Sequence, residues 1–168
     1  MVSAIYYSSQ TGHTRQYARL LAEALSLPWY DMARRVPAPK SREAIYMGWL
    51  FAGKVKGYEK AAKENRVKAV CATGMSPPSD KLTESIRAAN KIPADVPVFY
   101  MQGGFNMKAL PLPLRGIMYF KNKSIAAGLR KVDAMNAHQA ATFRMTQKAY
   151  SAVDRKNLDP VIAWYNSL

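Results

Sequence analysis

The run Ser9-Gln10-Thr11-Gly12-His13-Thr14 gathers hydroxyl, amide and imidazole groups around one glycine. An apolar stretch, Ala4-Ile5-Tyr6-Tyr7, leads into it, and an amphipathic stretch carrying Tyr17, Leu20, Leu21, Ala24 and Leu25 follows. That order reads as strand, loop, helix. The first backbone N–H groups of such a helix lack intrahelical partners, and the positive end of the helix dipole lies with them, so the loop suits a phosphate. Ser9, Thr11 and Thr14 add hydroxyl donors, and Gly12 lets the backbone approach an anion closely. The loop lacks the G-x-G-x-x-G of dinucleotide turns and the Gly-Lys-Ser/Thr of triphosphate loops. The competing reading is a polar turn that merely caps a helix.

A phosphate loop needs a scaffold, and the chain supplies a strand–helix rhythm. Strands are expected at about Val2–Tyr7, Pro28–Met32, Glu43–Gly48, Val67–Ala72 and Val96–Met101. Pro37 and Pro39 break the chain after the second. Helices are expected at Gly57–Asn65, marked by Tyr58, Ala61 and Ala62, and after Pro77-Pro78, with Leu82, Ile86 and Ala89 facing the core. Residues Phe105 to about Met135 form an extra segment holding the helical-looking Leu114–Phe120. Ala137–Val153 also reads as helix, and a last helix starts with Asp159 as cap and Pro160 at its first position. Five parallel strands in the order 2-1-3-4-5 would bring the strand exits at Gly12, Gly48–Gly53 and Gly74 to one edge, where such sheets hold ligands.

Ser9-x-Thr11-Gly12-x-Thr14, directly after the first strand, resembles the FMN phosphate loop of the flavodoxin family. The resemblance covers most of residues 1–104 and implies a single flavodoxin-like three-layer α/β/α domain over residues 1–168 that binds FMN. It assigns Ser9, Gln10, Thr11, Gly12, His13 and Thr14 to the phosphate. Gly48, Trp49, Leu50, Phe51, Ala52 and Gly53 take the place of the loop that wraps the isoalloxazine. Thr73, Gly74, Met75 and Ser76 take the place of the second flavin loop. Trp49 and Phe51 suit a large planar ring, although ordinary core packing is their alternative. Gln102-Gly103-Gly104-Phe105 and the basic apolar Leu114–Lys121 are similar to a branch that includes the quinone-linked bacterial protoporphyrinogen oxidase. The chain departs from that enzyme in lacking its long basic insertion ahead of this helix; residues 76–95 read as one compact helix.

No nucleophile–base pair, carboxylate dyad or metal-ligand spacing stands out, so no catalytic or metal residue is assigned. That suits a redox protein in which FMN carries the chemistry, whether an electron carrier or a small oxidoreductase, and the branch resemblance implies a protoporphyrinogen-oxidase-like or quinone-linked flavoenzyme as the alternative. The ring loops carry no acid up to Asp80, and Lys54 follows the first, an arrangement expected to favour a reduced, anionic flavin. Cys71 sits in an apolar strand and reads as a small core residue.

The net charge of +14 concerns partners rather than fold. Between Lys108 and Lys131 stand six basic residues, Lys108, Arg115, Lys121, Lys123, Arg130 and Lys131, and no acid. This stretch is expected to meet an acidic redox partner or an anionic membrane surface, or simply to face water. No nucleic-acid signature is present, so nucleic acid is not an expected partner. No run is apolar enough to span a bilayer and the start reads as a core strand, so the expected location is cytoplasmic, with peripheral membrane contact as an option. A flavin-free basic binding module is the alternative from another class; colour separates the two.

Overall fold

The computed structural model describes residues 1–33, 39–40, 42–105, 112–131, 134, 139, 143 and 150–168. In chain order the elements are β1 (Ala4–Ser8), α1 (His13–Leu25), β2 (Trp29–Asp31), β3 (Glu43–Phe51), β4 (Lys54–Val55) and α2 (Tyr58–Glu64). Then come β5 (Arg66–Gly74), α3 (Asp80–Asn90), β6 (Val98–Gln102), β7 (Gly104–Phe105), α4 (Leu112–Leu129), β8 (Tyr150–Ser151) and α5 (Asp159–Asn166).

Side-chain alternation dictates the layers. Ala4 and Tyr6 of β1 enter one core while Ile5 and Tyr7 enter another. On β3, Ala44 and Tyr46 are opposed in the same way to Ile45 and Met47, and on β5, Val70 and Ala72 to Ala69 and Cys71. Strands buried on both faces must be covered on both sides. Tyr17, Ala18 and Leu21 of α1 and Val161 of α5 close the first core; Tyr58 and Ala61 of α2 and Ile86 of α3 close the second. Each large side chain so buried contributes about 1.5–3 kcal/mol. The result is an α/β fold with a mostly parallel sheet between helical layers.

The main sheet runs β2-β1-β3-β5-β6, with β4 paired to β3 off that path. It therefore has six strands, in the chain-order sequence 2-1-3-5-6, in place of the expected five in the order 2-1-3-4-5. The physical reason is a hairpin. β3 does not stop at Gly48 but continues to Phe51, turns through Ala52 and Gly53, and returns antiparallel with Leu50 opposite Val55 and Phe51 opposite Lys54. Both turn residues have positive φ, 48° and 77°, the twist that two-residue hairpins favour.

Tyr17 ties the layers together at the β6 edge. Its hydroxyl donates to the Gln102 carbonyl at 2.6 Å and accepts from Asn157 Nδ2 at 2.6 Å. The Ala152 N–H donates to the Gly103 carbonyl at 2.6 Å, and β8 pairs antiparallel with β7. The end of the helix expected over Ala137–Val153 is thus strand and extended chain, because its backbone bonds across to residues 103–105. Most of the remainder of that stretch lies outside the described residues.

Smaller corrections follow from packing. Ala24 and Ala62 are exposed, the α1 stripe being rotated toward Ala18 and Ala22. Asp159 is the first residue of α5 rather than its cap; Asp154 instead caps the short 3-10 turn Arg155–Leu158 by accepting from the Lys156 N–H at 2.9 Å. Cys71 is wholly buried and not in a disulfide, and burial pushes its thiol pKa up. Among the described residues no helix is long and apolar enough to cross a membrane.

Candidate functional site

Three neighbouring strands end together. Ser8, Gly48 and Ala72 stand in one row across β1, β3 and β5, and one residue further on Trp49 is paired with Thr73. Everything downstream of that row emerges at the carboxyl edge of the sheet, the edge where α1 begins.

The segment after β1 is built to leave a helix end open. Gly12 precedes α1 with φ 94°, a left-handed conformation that favours glycine, and no side chain caps the helix. Ser9 Oγ accepts the Gly12 N–H at 3.2 Å, which tightens the turn. Nothing lies within 4 Å of where a Cβ on Gly12 would stand, so the turn faces open space. Thr11 Oγ1 and His13 Nδ1 are 2.9 Å apart. His13 and Thr14 are buried, and burial pulls the His13 pKa below its usual value, favouring a neutral imidazole. The imidazole therefore adds little positive charge near neutral pH, and the backbone N–H groups at the start of α1 are left as the main attraction for an anion.

Thr73 lies beside this helix end. A Cβ on Gly103 would meet Thr73 Cγ2 at 2.6 Å and His13 Cβ at 3.3 Å, so the glycine is what allows the β6 exit, β5 and α1 to converge. Thr73 is 5% exposed and its hydroxyl has no hydrogen-bond partner. A buried hydroxyl left unpaired costs roughly 1–3 kcal/mol.

The turn after β5 is held from one side. The Gly103 N–H donates to the Gly74 carbonyl at 2.7 Å, Gln102 Nε2 to the Met75 carbonyl at 3.1 Å, and Tyr100 OH to the Ser76 carbonyl at 2.7 Å. Three successive carbonyls are thereby occupied, and the turn is fixed in place. Met75 is 38% exposed.

The hairpin divides its own residues. Trp49 and Phe51 follow Met47 in the alternation and so stand on the α1 face; their rings contact each other with centroids 5.8 Å apart. Trp49 is half-buried and Phe51 is 43% exposed, and neither joins a buried cluster among the described residues. Leu50 instead packs on the α2/α3 core, and Ala52 and Gly53 form the hairpin tip toward α3. Of the residues expected at the ring, Trp49, Phe51 and Thr73 therefore share a face with the phosphate-loop candidates, while Leu50, Ala52 and Gly53 do not.

The hairpin is clamped by Asn90 at the end of α3. Its Oδ1 accepts the Val55 N–H at 2.8 Å, and its Nδ2 donates to the Gly53 carbonyl at 2.9 Å. Lys54 Nζ donates to the Ala89 carbonyl at 2.6 Å, which ties that ammonium to α3. Lys56, not Lys54, is the cation beside the aromatic pair, with its Nζ 5.8 Å from the centroid of the Phe51 ring. Lys56, Asn90 and Gly103 lie outside the expected site. Only the glycine pair at 103–104 carried a local signal; the other two depend on the hairpin.

Among the described residues no group of three or more His, Cys, Asp or Glu side chains is placed to hold a metal ion. Comparison with family models, with curated proteins and with solved structures found no match to this chain.

Proposed function

We propose that this chain is a flavodoxin-like redox protein that binds FMN at the carboxyl edge of its sheet. The observation that carries the reading is the unpaired hydroxyl of Thr73 beside the uncapped start of α1. A buried donor with no acceptor, next to a row of N–H groups with none, fits an oxygen-rich anionic ligand. Trp49 and Phe51 on the same face offer flat apolar surface for a ring system attached to that anion. One phosphate cradle favours FMN over FAD.

FMN when bound supplies electron-transfer chemistry. The chain's own residues do the rest. The 9–14 loop binds the phosphate through backbone N–H groups and the hydroxyls of Ser9, Thr11 and Thr14. Trp49 and Phe51 shield one side of the ring from water. The 73–76 turn, its carbonyls already bonded, meets the ligand with N–H groups and the Thr73 hydroxyl. Lys56 places a positive charge by the aromatic pair, which would favour added negative charge on a ring held there. The +14 charge would speed encounter with an acidic protein partner.

The test is titration of apoprotein with FMN, FAD and riboflavin, together with chromatography of heat-released cofactor. FMN is expected to bind tightest, with riboflavin weaker by at least ~10-fold for loss of the phosphate contacts. Equal affinity for riboflavin, or no FMN binding, overturns the reading. Steady-state turnover with candidate acceptors then separates an oxidoreductase from a carrier.

A further inference from the structure

The helix α4 turns four large apolar side chains toward water. Leu112, Ile117, Tyr119 and Phe120 are 77%, 63%, 56% and 72% exposed. At 100° per residue they fall on one half of the helix, together with the exposed Lys123, and the exposed Arg130 and Lys131 follow in the turn just after the helix. The opposite half holds Arg115, Asn122, Ile125, Ala126 and Leu129, all half-buried or buried. Two of those five are polar. Gly116 and Gly128 lie on the outer half, and nothing stands within 4 Å of a Cβ at either, so that face is open at both positions. Four of the eight exposed large hydrophobic residues described in the chain are on this one helix. Such a patch marks a contact surface rather than scattered exposure.

We propose that the outer face of α4 is an interfacial anchor that lies in the headgroup layer of an anionic lipid bilayer. The chemistry selects the occupant. The face is convex, with aliphatic and aromatic side chains that can insert into fluid lipid, and Lys123, Arg130 and Lys131 beside them to meet lipid phosphates. No acidic residue lies between Lys108 and Lys131 to repel those phosphates. Tyr119 is the residue type that settles at the water–lipid boundary. The helix lies on the membrane rather than crossing it, since no described helix meets the length and apolarity needed to span. The apolar side chains and the cations together match the two layers of an anionic lipid surface, its acyl chains and its phosphates.

The experiment is flotation of the purified chain with vesicles of phosphatidylcholine, with or without about one-third phosphatidylglycerol. Binding is expected to the anionic vesicles and to be at least ~5-fold weaker to neutral ones. Ile117→Ser with Phe120→Ser is expected to lower anionic binding by ~10-fold or more. Lys123→Glu with Lys131→Glu is expected to lower it by at least ~10-fold at low salt. All four side chains are exposed, and circular dichroism checks that each variant keeps the fold. Absence of binding to anionic vesicles overturns the proposal, as does binding that survives Ile117→Ser with Phe120→Ser. Salt-sensitive retention on immobilised polyglutamate, equal in wild type and the apolar variant and without vesicle binding, identifies an acidic protein surface instead. Vesicle flotation is independent of flavin content, so its outcome and that of the FMN titration are separate.

Discussion

Trp49 of β3 and Thr73 of β5 are direct partners across parallel strands, so an indole and a buried, unpaired hydroxyl share one face of the sheet at its carboxyl edge. The start of α1 adjoins Thr73 through His13 and Gly103. An aromatic surface, an orphaned donor and an open helix end are thereby brought to one edge of the sheet.

Thr73→Val separates the needs of the fold from those of a ligand. Replacing an unpaired buried hydroxyl by a methyl of similar size is expected to stabilise the apoprotein by about 1 kcal/mol. The same change is expected to weaken FMN binding several-fold. Urea denaturation of apoprotein and FMN titration measure the two effects. A variant that is stabilised and still binds FMN at full strength would show that the hydroxyl does not face the ligand.

Lys56 and Lys54 are expected to differ although they are two residues apart. Lys54 is held at the Ala89 carbonyl, whereas Lys56 lies over the Phe51 ring. Lys56→Gln should lower the flavin reduction potential by roughly 20–40 mV, while Lys54→Gln should leave it nearly unchanged. Redox titration against reference dyes decides. Equal shifts would mean that neither ammonium is closer to the ring.

Asn90→Ala removes both side-chain bonds to the hairpin, at the Val55 N–H and the Gly53 carbonyl. A loss of about 1–3 kcal/mol is expected. Hydrogen exchange at the Val55 amide should rise by far more than exchange in β1. Uniform acceleration across the sheet would show a global effect rather than a clamp on the hairpin.

Burial of His13 depresses its pKa, so the native state disfavours the proton that the unfolded chain accepts near pH 6.5. The unfolded state therefore binds more protons below that value, and stability falls as pH decreases. The contribution of His13 is whole above about pH 6.5 and is lost as pH drops through the lower native pKa. Thermal midpoints measured from neutral to mildly acidic pH should decline in wild type. His13→Asn should flatten that part of the curve; an unchanged slope would assign it to other groups.

Much of the architecture is legible in local pattern. The alternation in β1 and β3 and the run Tyr17, Leu21 with period near 3.6 specify strands buried on two faces and helices buried on one. Gly12 between a strand and a helix marks the open turn, because only glycine readily takes its positive φ. These are properties of neighbouring residues, so a linear reading finds them.

Which side chains meet at the edge is decided by pairing between distant strands. The register of β5 against β3 shifts between Ala44, which pairs with Val67, and Ile45, which pairs with Ala69, so Lys68 is an extra residue in the strand. Without that bulge, Thr73 would fall opposite Leu50, on the α2/α3 face, because one residue of slip reverses every side chain beyond it. Asn90, 37 residues away from Gly53, clamps the hairpin tip, and the hairpin in turn sets Lys56 rather than Lys54 beside Phe51. The sequence by itself determined the main parallel strands, the helices packed on them and the open turn at Gly12, since these follow from local spacing. Only the tertiary structure decided which faces those elements present to one another, since that depends on register and long-range hydrogen bonds.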